Sequence, residues 1–314
     1  MTGSANPASE ELVAGLLEVA GDQVLSVVLF GSQLVDASPD RFSAHDFVVV
    51  VRSYHGFHRR LVAGGHHRRR AWLLDALARV LPPNVMAVVP RPDGPVAKCM
   101  IFDEADFSRA LSPSAPDHFL KGRMAHRVAV LYGADAGVEG RVGQALERAR
   151  DDALRWAGPF VDEPFDAESF ALGMLEISYG GEIRPESGDR VREVFEAQRP
   201  ALVALYEAVL DRAAGARVLI RDAAGYRFVD PPGPGARLRV RLYFMTSKLR
   251  ATLRWLKHIA TFNDWLTYIQ RKVERRTGMT VEITPLERKY PLVFLWPKVV
   301  RVLRARPPAN DGGP

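Results

Sequence analysis

The chain has 314 residues, 47% of them hydrophobic and 25% charged, with a single cysteine and a net charge of +6. That composition is long enough and apolar enough for one large folded body or two ordinary ones. It excludes a disulfide framework and a cysteine-rich zinc site, since Cys99 stands alone. No run approaches the roughly 18–20 apolar residues of a membrane span. The first 20 residues carry three glutamates and no Lys or Arg, which argues against a secretory or mitochondrial leader and for a cytoplasmic protein. The charge is unevenly spread. Residues 236–306 hold 17 Lys and Arg against 4 Asp and Glu, while the first 235 residues are net acidic. A basic tail on an acidic body points to an anionic surface as partner.

In chain order, Leu12, Leu16, Leu17 and Ala20 form one stripe and predict a helix over 9–20. VLSVVLF (24–30) and FVVVV (47–51) are short continuous apolar runs of the kind that fit buried strands. RRRAWLLDALARV (68–80) predicts a helix that stops before Pro82 and Pro83. VMAVV (85–89) and VAKCMIF (96–102) predict two further strands around an RPDG turn at 91–94, and KGRMAHRVAVLYG (121–133) begins basic and ends in a fifth strand. Helix and strand alternate over the first 130 residues or so, the pattern of an α/β sheet domain. From 141 to 212 the pattern is helical, and RVLIRDAAGYRFV (217–229) reads as a β-hairpin, so a helical, winged-helix-like domain is expected there. PPGPG (231–235) has the composition of a linker. The expected division is 1–135 for the sheet domain, 136–235 for the helical domain and 236–314 for a basic C-terminal region.

In that last region Met245, Leu249, Leu253, Leu256 and Ile259 recur at three- and four-residue spacing, with Lys248, Arg250, Arg254 and Lys257 mostly off the stripe. This is a basic amphipathic helix over 242–260. Trp255, Phe262 and Trp265, and later YPLVFLWPKVV (290–300), add aromatics of the type that settle at lipid head groups. An anionic membrane surface is therefore the expected partner of residues 236–306. A helical subdomain docked on the body is the plainer alternative, and nucleic acid is disfavoured.

The stretch that carries chemistry is LFGSQLVDASPDRFSAHDFVVVV (29–51). Gly31 and Ser32 close one apolar strand, and Asp46 opens the next. Small residues after a strand let backbone N–H groups approach phosphate, Ser32 can donate to a phosphate oxygen, and a carboxylate at a strand start can coordinate magnesium. This is how the palm of a polymerase-beta-like nucleotidyltransferase is built, with one departure: the position two before Asp46, where that superfamily carries a second acid, is Ala44. The missing carboxylate is sought on a later strand, with Asp103 preferred over Glu104 because it directly follows the apolar run. His45 is expected to point away from Asp46.

Beyond that motif the chain resembles the mitochondrial-type phosphatidate cytidylyltransferases, the peripheral CDP-diacylglycerol synthases also called translocator assembly and maintenance proteins. That family pairs Gly-Ser with a single Asp. Phe57-His58 falls where it has an aromatic-His pair, Gly122-Arg123 resembles its Ala-Gly-Arg-Leu segment, ISYGGEIRPESGDRVREVF (177–195) resembles its Ser-Tyr-x-Gly-Asp-Phe-Arg segment, and GYRFVD (225–230) a Gly-Trp-aliphatic one. The family's Lys-Pro-Val is here His126-Arg127-Val128, and an Asp of the family is Glu182. The resemblance implies that CTP and phosphatidic acid give CDP-diacylglycerol and pyrophosphate with magnesium, on the cytoplasmic face of the cell membrane. It implies Asp46 and Asp103 as catalytic metal ligands, Gly31, Ser32, Lys121 and Arg123 as nucleotide-binding residues, and His58 and Arg184 as lipid or phosphate contacts. Two alternatives stay open: a transferase that nucleotidylates tRNA or protein, and an inactive palm kept as a regulatory module.

Overall fold

The computed structural model describes residues 6–35, 44–67, 69–88, 94–182, 187–261 and Thr284. The expected 91–94 turn for its first three residues, Arg184, and the 290–300 aromatic cluster lie outside them. The chain divides into two units, 1–261 and 262–314; the architecture below is that of the first.

The elements in order are α1 (Pro7–Ala20), β1 (Val24–Phe30), α2 (Ser32–Val35), β2 (His45–Val51), α3 (Tyr54–Ala63), α4 (Ala71–Val80), β3 (Asn84–Val88), β4 (Ala97–Asp103), α5 (Glu104–Ala110), α6 (Phe119–Met124), β5 (Ala129–Gly133), α7 (Ala136–Asp151), α8 (Ala153–Trp156), α9 (Ala167–Gly180), α10 (Gly188–Gly215), β6 (Leu219–Asp222), β7 (Gly225–Phe228) and α11 (Pro234–Thr261). The fold is mixed α/β. Strands β1 to β5 form one sheet in the order β3-β4-β2-β1-β5, and β6 and β7 form a separate hairpin. Within the sheet β2 and β4 run parallel and every other neighbouring pair is antiparallel.

The strands are apolar on both faces because both are covered. Val27, Leu29, Phe47, Val49, Cys99 and Ile101 share a core with Leu12 and Leu16 of α1 and Phe57 of α3. The alternate residues of the strands face α5 and α7. Each predicted strand is present within a residue or two of its expected limits. The helices α3, α5 and α6 were not expected. They are short, and the basic start of 121–133 is the end of α6 rather than the approach to a strand.

A second core joins Trp156 of α8, Phe170 and Met174 of α9, Phe195, Leu202 and Tyr206 of α10, Leu219 and Tyr226 of the hairpin, and Val240 and Phe244 of α11. Ala125, just after α6, belongs to it as well. The basic region thus does not begin as a separate body at 236: the first part of α11 supplies core residues, and the boundary between the two units falls after Thr261.

The C-terminal half of helix α11 docks by its charged face. Asp117 accepts from Arg250 Nε at 2.8 Å and from Arg254 Nη2 at 2.7 Å, and the Arg254 guanidinium lies 4.3 Å from the Phe119 ring centroid. Lys257 Nζ donates to Pro83 O at 2.7 Å and Asn84 Oδ1 at 3.0 Å, and also to the carbonyl of Leu81 at the end of α4. Burial, helped by Arg254, pushes the Lys257 ammonium down to about 7. Leu238, Leu242, Met245, Leu249 and Leu253 are left outward, between 49% and 66% exposed. No helix of the described residues is long and apolar enough to cross a membrane.

The deepest ion pair joins α6 to α8. Lys121 is fully buried, with Nζ 2.5 Å from Asp152 Oδ2, and Asp152 also accepts from Arg155 Nε at 2.7 Å. Removing one partner of such a pair strands the other in a medium that cannot solvate it. Lys121→Ala is therefore expected to cost about 3 kcal/mol, the low end for a broken buried pair because Arg155 remains. Urea unfolding read by circular dichroism checks this, and an unchanged midpoint contradicts it.

Candidate functional site

Chain geometry makes the site at the end of β1. After Phe30 the backbone turns through Gly31 at φ +82°, a conformation that favours glycine. A Cβ built there would stand 3.0 Å from Asp46 Oδ2. The glycine is required twice over, by its backbone angle and by the carboxylate packed against it. Asp46 is the cross-strand partner of Phe30 on one side and of Lys98 on the other. Lys98 Nζ lies 3.9 Å from Asp46 Oδ1, both side chains partly exposed. His45 is on the opposite face, edge-on to Phe47 with centroids 6.2 Å apart, and burial holds its imidazole below the usual range.

Gly31 and Ser32 open onto a cavity of about 230 Å³ whose other walls come from far along the chain. Helix α6 contributes Gly122 and Arg123, the segment after it His126 and Arg127, the end of α9 Ser178, Tyr179 and Glu182, and the start of α10 Arg190. Gly122 is there because α6 and α9 touch: a Cβ on it would meet Ser178 Oγ at 2.7 Å and the His118 ring at 2.8 Å. Arg123 stacks on Phe119 at 4.2 Å, donates to Phe119 O at 2.6 Å and lies 3.3 Å from Glu182 Oε1. Arg127 Nη1 donates to Leu34 O at 3.3 Å, tying this wall to α2. Gln198 of α10 faces the Arg127 amide and His126 Nδ1, each at 3.5 Å. Burial, then the repulsion of Arg123, pushes His126 down to about 4, so the ring is neutral near pH 7. Three arginines against Glu182 leave the cavity positive, suited to an anion.

The expected site residues divide sharply. Gly31, Ser32 and Arg123 are brought together, with Asp46 against Gly31. Asp103 is not. Because β2 and β4 are parallel, the end of β4 lies beside the end of β2, and Asp103 is in register with Val51, five residues beyond Asp46. At about 3.3 Å per residue that is roughly 16 Å along the strand. Asp103 instead caps α5, accepting from the Asp106 amide at 2.8 Å, and burial raises its carboxyl above the usual range. Glu104 is on the surface, paired with Arg141 of α7. Lys121 is on the opposite side of α6 from Arg123, spent on Asp152, and does not reach the cavity. His58 is 2% exposed: its Nδ1 is 2.6 Å from Asp75 Oδ1 and its Nε2 3.3 Å from Asn84 Nδ2, so it clamps α3 to α4 and β3 and contacts no ligand surface. Arg184 lies outside the described residues.

The implied magnesium was tested against these groups. Asp103, expected as its second carboxylate, is at the far end of the sheet, the residue opposite Asp46 on β4 is Lys98, and no group of three or more His, Cys, Asp or Glu suited to a metal occurs among the described residues. Among the described residues, one carboxylate beside an ammonium does not fit a resident magnesium ion. Lys98 is the functional candidate that sequence reasoning passed over. Its signal was present: a lone lysine inside the apolar run VAKCMIF.

No family model matches the sequence, and no curated protein matches it.

His118 backs the cavity from inside. Its Nε2 is 2.9 Å from Ser178 Oγ, and its ring lies edge-on to Trp156 at 4.6 Å and to Phe244 at 4.8 Å. Burial, with Lys121 and Arg123 adding repulsion, pushes the imidazole from 6.5 to about 3. The folded state refuses a proton that the unfolded state accepts, so stability is full above about 6.5 and is lost as pH falls from there toward 3. Thermal unfolding across that window should show Tm falling with pH, and His118→Gln should flatten the slope.

Proposed function

We propose that the protein is a nucleotidyltransferase of the polymerase-beta type that acts as a phosphatidate cytidylyltransferase. The observation that carries this reading is convergence. Three stretches that resemble that enzyme family, at 31–32, 122–123 and 178–182, are far apart in sequence and line one positive cavity. A resemblance spread over unrelated surface patches would not gather in this way.

In the proposed reaction the triphosphate of CTP lies against the Gly31 turn, where no side chain obstructs the backbone, with Ser32 and Arg123 as donors. A phosphate oxygen of phosphatidic acid attacks the α-phosphorus. The α–β bridging bond breaks, pyrophosphate leaves with the electron pair, and CDP-diacylglycerol is formed. The nucleophile is already anionic, so no general base is needed, which suits a cavity whose histidine is neutral and held by Gln198. Magnesium belongs here to the substrate, entering as the Mg–CTP complex, with Asp46, packed against Gly31, as a carboxylate to meet it. Lys98 supplies fixed positive charge beside Asp46.

Incubation with labelled CTP, magnesium and phosphatidic acid vesicles, followed by lipid extraction, should move label into the lipid phase. Asp46→Asn and Gly31→Ala should each reduce it at least about 100-fold. Lys98→Ala should weaken CTP binding about 10- to 100-fold, the value of one charge-assisted contact. Label transferred to tRNA or to protein, and not to lipid, would replace the acceptor and keep the fold reading.

The exposed stripe on α11 supports a membrane-surface partner. Five apolar residues are outward, with Arg239, Arg241 and Lys248 exposed beside them. Such a face binds anionic lipid by apolar burial plus salt-sensitive attraction. Leu242→Gln with Leu249→Gln should weaken binding to phosphatidic acid vesicles and leave Tm unchanged; equal binding in a sedimentation assay would remove α11 from membrane contact.

A second reading has its own support. Ala44 two residues before Asp46, with Lys98 beside that aspartate, is what a palm that binds nucleotide without transferring it would carry. Tight CTP binding with no transfer to lipid, tRNA or protein would establish that reading.

A further inference from the structure

Helix α6 separates the Gly31 cavity from a larger one to which the reading above gives no part. This second cavity, of about 1000 Å³, is bounded by α7 and α8, the C-terminal half of α10, the β6–β7 hairpin and α11. That is the upper end of the roughly 300–1,000 Å³ range of small-molecule sites. Its walls are largely apolar, with Leu154, Pro159, Val209, Val218, Phe228 and Val240 among them. The polar atoms of its two largest lining aromatics, Trp156 Nε1 and Tyr243 Oη, are buried out of reach of water, so these residues turn only their ring carbons to the cavity.

The charges of the lining are uneven in what they have left to offer. Asp152 is engaged by Lys121 and Arg155, and Asp151 by Arg212. Arg148 donates to the Ser108 hydroxyl at 3.2 Å, and neither it nor Arg239 makes an ion pair among the described residues. Asp230 is the one lining acid in the same position. Two arginines against one aspartate leave a surplus of positive charge.

We propose that this cavity binds a single-chain anionic amphiphile, a fatty carboxylate or a monoalkyl phosphate. The chain lies along the apolar wall, and the exposed Arg148 and Arg239 take the anionic head group. The proposal does not rest on the nucleotide reading, since no residue of the Gly31 cavity takes part.

Isothermal titration of the full chain with decanoate, dodecyl phosphate and decanol, each below its micelle concentration, tests it. Decanoate or dodecyl phosphate should bind one per chain, and decanol at least tenfold more weakly. Arg239→Glu, at an exposed position, should weaken the anions at least tenfold. Ala236→Trp, which fills the cavity from α11, should abolish binding, while Trp72→Gln, at an exposed position on α4, should not change it. Circular dichroism and Tm of each variant establish that it is folded, and Arg239→Glu decides the matter where Ala236→Trp is not. Absence of binding by the parent protein, equal binding of decanol, or anion binding unchanged in Arg239→Glu would overturn the proposal.

Discussion

Strands β2 and β4 lie side by side and point the same way, and their register decides which charges stand beside Gly31. In that register Lys98 is opposite Asp46, and Asp103 is opposite Val51. A parallel pair carries two strand starts to one edge of the sheet and two strand ends to the other. An acid at the end of β4 therefore cannot join an acid at the start of β2, whatever its spacing in sequence. The carboxylate at Asp46 is balanced by the Lys98 ammonium, and on the proposed nucleotidyl-transfer reading the cation arrives with the nucleotide.

The helices around the sheet act as dividers. On α6, Lys121 and Arg123 leave opposite sides: one is consumed by Asp152 in the interior, the other reaches the Gly31 cavity. Gly122 between them permits the contact with α9 that brings Ser178, Tyr179 and Glu182 into the same wall. Helix α11 then closes the assembly, its first half through Val240 and Phe244 and its second half through three cations turned inward, Arg250 and Arg254 on Asp117 and Lys257 among carbonyls. Satisfying those cations inside leaves the aliphatic stripe outside, the reverse of an ordinary surface helix.

Much of the fold was legible because continuous apolar runs between polar breaks mark buried strands, and all five sheet strands were read from them. Gly31 and Ser32 were legible as the turn that closes β1, because small residues follow an apolar run there and an acid opens the next; that they line a cavity depends on α6, α9 and α10. The partnering of α11 was not legible. A stripe of Met245, Leu249 and Leu253 gives its periodicity but not which side docks, since three cations that find buried acceptors outweigh what periodicity suggests. The fates of Asp103, Lys121 and His58 were hidden for a different reason. Each depends on a tertiary partner, strand direction for Asp103, Asp152 for Lys121 and Asp75 for His58, and residue type alone is the same for a ligand-binding group and a structural one. Lys98 could have been found: a lysine inside a buried strand needs an anion, and the sheet order supplies Asp46.

The central claim is that three distant segments form one nucleotide cavity at the end of β1. Hydrogen exchange read by mass spectrometry, with and without CTP, measures this directly. The account predicts slower exchange in 29–35, 119–127 and 177–182 together, lost in Gly31→Ala. Protection in none of the three, or confined to residues elsewhere in the chain, would contradict it.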